Sequence, residues 1–353
     1  MALFFQINAS FFEWLENKCK FAAVKFVPSG SLFMISRRQL RIKVLQTLYA
    51  YYKAGSGDLN RSEKELRFNI QKAYDLYHHL MVLIIDLVLY AESRIELARN
   101  KRVPTREDLH PNTRFVENKV VHQLRNNRQF LRYLDVKKLS WNQYPELIRE
   151  LYQKMISSEV YTKYMEAEET TYTDDKKLIT GLYTEVIYLN ESLEAVLEEQ
   201  SIYWNDDVEF IISMIIKTIR RLKENDGEEA PLLELYKNEE DKDFAIRLFH
   251  QSILHREEYL GYIRNNTRNW DLERIAFMDI LIMQMAIAEM LGFPSIPTKV
   301  TLNEYLEIAK YYSTQKSNVF INGVLDKIVS ELREKNLLVK KGRGLIGEHD
   351  DPE

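Results

Sequence analysis

Between Leu272 and Leu291 the chain carries Leu272, Ile275, Phe277, Met278, Ile280, Leu281, Ile282, Met285, Ile287 and Met290. That apolar density is too high for a half-exposed helix, while Asp279, Gln284 and Glu289 interrupt it too often for a membrane span. The stretch is expected to be the central, buried helix of a helical bundle, and the elements around it must cover it. Gly292 supplies a C-terminal stop, and Pro294 and Pro297 keep the helix from resuming, so a rigid connector of about five residues leads to the next element. There Thr301 and Glu304 form a candidate capping box, followed by Leu302, Tyr305, Leu306, Ile308 and Ala309 at helical spacing. A third helix is expected from about Asn318, with Phe320, Ile321, Val324, Leu325 and Ile328 on its inner face. Gly323 inside that helix costs about 1 kcal/mol relative to alanine, which predicts a neighbouring helix backbone passing close by.

The rest of the chain is consistent with an all-α protein. Only 11 glycines and 8 prolines in 353 residues suit long helices joined by short loops. A net charge of −4 does not advertise nucleic-acid binding, so any such site has to come from local clustering. The single Cys19 excludes an intramolecular disulfide and a cysteine-only metal site, and points to a reducing compartment. The longest apolar run, Leu80 to Tyr90, is interrupted by Asp86 and is about half the length of a membrane span. Residues 1–33 are aromatic-rich and carry Glu13 and Glu16 where a signal peptide is uniformly apolar. With Met34 three residues before an arginine block, they read as an upstream extension or as a docking arm.

Local charge is uneven. From Met34 to Gly57 there are five basic residues, Arg37, Arg38, Arg41, Lys43 and Lys53, and no acid. Leu40, Val44, Leu48 and Tyr51 form one narrow apolar stripe, and the three arginines fall in or beside the same sector one turn earlier. They are expected to project past the bundle as a cationic spur. Three arginines at the positive end of a helix dipole oppose it, which favours a functional role over a solvated end. A second basic region, Arg94 to Lys138, holds twelve Lys or Arg against five acids, with Pro104 and Pro111 breaking the helix between them. A long helix is expected over about 62–99, another over 144–158, and a polar link over 166–177. His78 and His79 point to different faces of the long helix, so a core or surface role is expected rather than a metal site. Residues 182–204 and 248–270 share Leu, Ile, Glu and Trp at an offset of 66, a weak internal repeat. Glu224 to Asp243 holds nine acids and reads as a linker.

Gly342-Arg343-Gly344-Leu345-Ile346-Gly347 matches a dinucleotide-binding spacing but lies in a polar tail rather than between a strand and a helix, so it carries no such meaning. No P-loop, no His-Glu-x-x-His pair and no nucleophile in a recognisable setting is present. The chain is expected to be a non-enzyme, with no catalytic residue, no metal and no cofactor.

Three blocks in order, Ile296-Pro297-Thr298-Lys299-Val300-Thr301-Leu302-Asn303-Glu304, Glu307-Ile308-Ala309-Lys310 and Phe320-Ile321-Asn322-Gly323-Val324-Leu325-Asp326-Lys327, resemble the C-terminal half of the NusB family of bacterial transcription antitermination factors. The family's arginine-led first helix is matched by Arg37-Arg38-Gln39-Leu40-Arg41, Val44-Leu45-Gln46 and Leu48-Tyr49. The resemblance covers roughly residues 34–54 and 241–336, and residues 60–235 have no counterpart in short family members. It implies an all-α NusB-like bundle with an inserted helical subdomain. The boundaries are 1–33 for the extension, 34–57 for the first helix, 58–235 for the insert, 236–340 for the C-terminal core and 341–353 for the tail.

Family members bind single-stranded boxA-type RNA, together with NusE, a small-subunit ribosomal protein. They promote read-through by RNA polymerase in ribosomal RNA operons, in the cytoplasm. Carried over by position, phosphate contact falls to Arg37, Arg38 and Arg41, and base contact to Tyr49, Tyr312 and Phe320. Lys316 stands where the family is often acidic, a reversal that strengthens phosphate contact. Asp279 is either a NusE-facing residue or a polar residue at the bundle edge. Two other classes stay open: a protein-interaction scaffold without RNA affinity, and an accessory domain of an RNA methyltransferase.

Overall fold

The computed structural model describes residues 33–55, 57–267 and 274–346. Among them every regular element is helical, and the one β-bridge, Phe33 with Glu234, is isolated. In chain order the helices are α1 (Arg37–Ala54), α2 (Leu59–Arg99), α3 (Arg106–Leu109), α4 (Lys119–Arg125), α5 (Arg128–Lys137), α6 (Pro145–Ile156), α7 (Glu159–Glu166) and α8 (Tyr172–Leu182). A π-turn, Tyr183–Ile187, leads to α9 (Glu191–Gln200) and α10 (Val208–Arg221), then α11 (Glu239–Leu254), α12 (Arg256–Asn266), α13 (Phe277–Gly292), α14 (Thr298–Tyr312) and α15 (Gln315–Glu334). The chain packs as two compact units, residues 35–70 with 236 onward, and residues 71–235 with Phe33 and Met34.

In the first unit α13 is the central helix. It packs against α1, α11, α12, α14 and α15, and it buries Met278, Leu281, Ile282, Met285, Ile287 and Met290 as well as the polar Gln284 and Glu289. The helix begins at Phe277 rather than Leu272; residues 268–273, with Trp270, lie outside the described residues. α1 opens on Ser36, whose hydroxyl accepts from the Gln39 amide, and ends on Gly55 at φ 61°, a left-handed conformation that suits glycine.

The capping box at Thr301 does not form. α14 starts three residues earlier, with Pro297 in extended conformation at the cap, and the Thr301 amide makes an ordinary helical bond to the Pro297 carbonyl at 3.1 Å. Thr301 and Glu304 are thereby released for tertiary contacts. α15 likewise starts early, capped by the Thr314 hydroxyl, and turns Ile321, Val324, Leu325 and Ile328 inward. Gly323 faces open space, where an added Cβ would meet nothing within 4 Å, so no backbone passes close by. A glycine in this unit that does require its lack of a side chain is Gly344. A Cβ there would lie 1.9 Å from the Pro294 carbonyl oxygen. The chain past α15 returns to this point, the Lys341 amide donating to the same oxygen at 3.0 Å and Lys340 Nζ to the Met290 carbonyl at 2.9 Å. The first residues of the expected polar tail are therefore docked, and Gly344 among them serves packing.

The second unit is built on the remainder of α2, from Gln71. Tyr77, Leu80, Leu83, Ile84 and Leu87 are buried on it, with Phe130, Trp141, Ile179, Tyr183 and Ile211 from the surrounding helices. Asparagines cap three of those helices: Asn118, Asn127 and Asn190 each accept from amides in the first turn. His78 and His79 are core residues, stacked on Tyr133 at 3.8 Å and on Trp141 at 4.0 Å respectively. Burial pushes both imidazoles down to about 4, and so they are neutral at ordinary pH. The expected polar link is shorter than 166–177, since Thr171 caps a helix that starts at Tyr172. The acidic stretch from Glu224 to Asp243 is fastened rather than loose, since Ala230, Leu232 and Leu233 in it are buried, and the border between the two units falls within it, between Leu235 and Tyr236.

Candidate nucleic-acid interface

The first turn of α1 gathers Arg37, Arg38 and Arg41, but not as a bare spur. Each is held by carboxylates from helices far away in sequence. Arg37 donates through Nε to Asp241 Oδ1 at 2.7 Å and through Nη2 to Glu240 Oε1 at 2.8 Å. Both acids belong to the first turn of α11, where the dipole favours them, so the helix that supplies the acids and the helix that supplies the arginine offset each other's end effects. Arg38 makes a bidentate pair with Glu304, Nε to Oε2 at 2.9 Å and Nη2 to Oε1 at 2.7 Å. Arg41 makes a second bidentate pair, with Glu289, at 2.7 Å on both arms.

The three pairs differ in depth. Arg41 and Glu289 are 2 % and 0 % exposed. Glu289 also accepts from Thr301 Oγ1 at 2.9 Å and from the Tyr305 hydroxyl at 3.1 Å. Four donors fill what a carboxylate can accept, which is the condition under which a buried ion pair is tolerated. Burial alone would lower the Arg41 guanidinium, but the Glu289 charge and hydrogen bonds outweigh it and hold the group above its ordinary value. Burial drives the Tyr305 phenol well up, with Glu289 adding to it, so it remains a donor. Arg38 lies nearer the surface: its side chain is 40 % exposed and that of Glu304 20 %. The hydrogen bonds it donates to Glu304, set against partial burial, raise its guanidinium. Arg37 is comparable, at 30 % exposed, and is raised because the Asp241 and Glu240 bonds exceed a burial penalty.

The remaining expected site residues lie elsewhere. Asp279 sits ten residues before Glu289 on α13, so about 15 Å separates the two ends at 1.5 Å per residue. At the Asp279 end, Tyr49 is half-buried against Phe277, ring centroids 5.7 Å apart, with Lys53 Nζ 4.8 Å from the Phe277 centroid. Asp279 is buried and accepts from the Ser313 hydroxyl, so it presents no partner-facing surface. Tyr312, adjacent to that serine, is also buried. Lys316 is exposed in the first turn of α15 and Phe320 is half-buried one turn on, with Val319 76 % exposed between them. The expected constellation thus divides. Arg37 and Arg38 stand at one end of α13 and Lys316 and Phe320 belong to the start of α15. Arg41, Tyr312 and Asp279 are enclosed by the fold and are corrected to structural residues.

Reading the sequence missed the carboxylates, Glu289 and Glu304 above all. A signal was present for the first: a lone acid near the end of an otherwise apolar helix has to find a buried cation. Glu304 carried no such mark. In the second basic region most cations are also engaged. Arg114 donates to the Tyr164 and Met165 carbonyls, Arg125 pairs with Glu92, Arg128 with Glu228 and Glu229, and Lys119 with Glu224. Among the described residues no group of three or more His, Cys, Asp or Glu is placed to hold a metal, and no helix is long and apolar enough to cross a membrane.

The sequence profile of the NusB family matches residues 209–330. The chain is 37% identical over 139 residues to the transcription antitermination protein NusB of Salinibacter ruber, covering 38% of this chain and 87% of that protein. Over 115 residues it is 41% identical to the protein of the same name from Geobacter sulfurreducens, covering 31% of this chain and 83% of the relative. For the Chloroherpeton thalassium protein the values are 43% over 105 residues, 30% of this chain and 50% of the relative. No solved structure matches the chain. The profile match opens at Glu209 in α10, inside the stretch 58–235 expected as an insert, and it does not reach α1.

Proposed function

The chain belongs to the NusB family, and from that premise we propose that it is a non-enzymatic RNA-binding factor of transcription antitermination. Its ligand is a single-stranded boxA-type element of nascent RNA, its direct protein partner NusE, and its setting the cytoplasmic RNA polymerase antitermination complex on ribosomal RNA operons. The observation that carries the reading is the depth gradient along the first turn of α1. Arg41 is consumed by the core, which fixes the helix end, and Arg37 and Arg38 are thereby held at the surface with planar, permanently charged groups suited to phosphate oxygens. Lys316 adds a cation and the half-buried Phe320 an aromatic ring at the start of α15, the pairing of charge and aromatic surface that grips single strands. On this reading residues 34–57 and 236–340 belong to the family bundle and 58–235 contain an insert, although the family profile already covers the stretch from Glu209.

One observation favours a second reading. All three arginines already have carboxylate partners, as they would in a protein-interaction scaffold that had lost RNA affinity. Fluorescence anisotropy of a labelled boxA oligonucleotide, with and without NusE, separates the two. Saturable binding that tightens with NusE is the expected result; binding no stronger than to an unrelated RNA of equal length supports the scaffold.

A further inference from the structure

We propose that Glu304 is an internal competitor for the phosphate site, its carboxylate occupying the guanidinium fork of Arg38 that RNA must claim. The inference rests on the RNA reading of Arg37 and Arg38. A carboxylate and a phosphate are equivalent ligands to a guanidinium, each bonding the fork through two oxygens, so both cannot hold the same edge at once. In Arg38 that edge, Nε and Nη2, is filled by Glu304 at 2.9 and 2.7 Å.

Three features make Glu304 displaceable. The pair is partly exposed, at 40 % and 20 %, and ion pairs in contact with water add little to stability. The core does not depend on it, because Arg41 keeps its two 2.7 Å bonds to Glu289 and reaches Glu304 only at 3.5 Å. Glu304 also serves no helix cap, α14 having started at Thr298. Glu307, one turn on, attracts Arg38 more weakly and is tied to Lys310. Glu304 is therefore the charge that sets how strongly this end of the bundle holds an anion. Approaching phosphate has either to push it aside or to bind beside a fixed negative charge.

The test measures binding of the full chain to a boxA oligonucleotide across a salt series for Glu304→Gln, Arg38→Ala and the double variant. Glu304→Gln should tighten binding about tenfold at low salt while the salt slope stays near native, because the same phosphate is held at Arg38 without a carboxylate to displace. Arg38→Ala should erase that gain in the double variant. Glu304→Asp, which keeps the charge, should stay near the native affinity, and a thermal melt of each variant guards against misfolding. If Glu304→Gln weakens binding or leaves it unchanged while Arg38→Ala weakens it, Glu304 is a positioning residue and the competitor proposal is overturned with the RNA reading intact. If neither substitution moves affinity or slope, the RNA reading of this site fails with it.

Discussion

The first unit places a charged pair in its core and saturates it, with Arg41 and Glu289 joined by two hydrogen bonds and Thr301 and Tyr305 closing the remaining acceptor sites. The second unit buries His78 and His79 between aromatic rings instead and keeps them neutral. The difference teaches where each core is vulnerable. A saturated ion pair tolerates changes of pH near neutrality but not the loss of a partner, whereas a neutral buried base tolerates the loss of single contacts but not the arrival of a proton.

The largest expected effect follows from removing one side of the ion pair. Arg41→Ala leaves the Glu289 carboxylate enclosed with no cation of its own, and stability should fall by about 3 to 5 kcal/mol. Urea denaturation followed by hydrogen exchange should locate the loss in α13 and α14. Replacing both partners by methionine should recover most of it, because a well-packed apolar pair is often as stable as a buried ion pair. A loss under about 1 kcal/mol for Arg41→Ala would mean that the pair is not isolated from water.

Acid should distinguish the second unit. The histidines titrate in the folded chain near 4, below their ordinary 6.5, so the unfolded chain binds more protons between those values. Their contribution is complete above pH 6.5 and is lost as pH falls toward 4, at about 1.4 kcal/mol per pKa unit for each histidine. Asp86 works in the opposite direction. Burial raises it to about 6, so its protonation below that pH favours the folded form and offsets part of the loss. Exchange protection in residues 71–99 should therefore fall between pH 6.5 and 4.5, and His78→Phe, which keeps a ring against Tyr133, should flatten the fall. Equal protection at both ends of that range in the native chain would contradict burial of neutral imidazoles.

The smallest effects come from two glycines that look alike in sequence. Gly344→Ala forces a methyl against the Pro294 carbonyl and should cost about 1 to 3 kcal/mol, read as loss of protection in residues 340–346. Gly323→Ala, on an exposed turn of α15 with nothing nearby, should raise stability by up to about 1 kcal/mol. Matched effects of the same sign at both positions would contradict the packing described.

How much of this was legible depended on how far apart the deciding residues lie in the chain. The apolar density of α13, the proline-bounded turn and the inner face of α15 are local patterns, and they appear in the fold with only the helix starts shifted and Phe320 half-buried. Thr301 and Glu304 also make a local pattern, a capping box, but one that loses to tertiary bonds with Glu289 and Arg38. The arginines of α1 oppose the local dipole, and their partners are 203 to 266 residues away in sequence, so no window reveals why the arrangement is stable. In the stretch after Glu224 the acids dominate the composition and hide Ala230, Leu232 and Leu233, which fasten it. Tyr312 and Asp279 have unremarkable neighbours in sequence, and only the fold reveals that both are enclosed.

The claim that neighbouring arginines on one helix divide into a core residue and a ligand residue is tested most directly by Arg38→Ala. Its melting temperature and its boxA affinity across a salt series should be measured side by side with those of the native chain. Melting should stay within a few degrees of native, because a partly exposed ion pair contributes only about 0 to 1 kcal/mol. Affinity should fall, and the slope of log affinity against log salt should flatten by about 0.7, the share of one phosphate on a single strand. An unchanged affinity and slope, or a loss of binding that merely follows a loss of stability, would contradict that division.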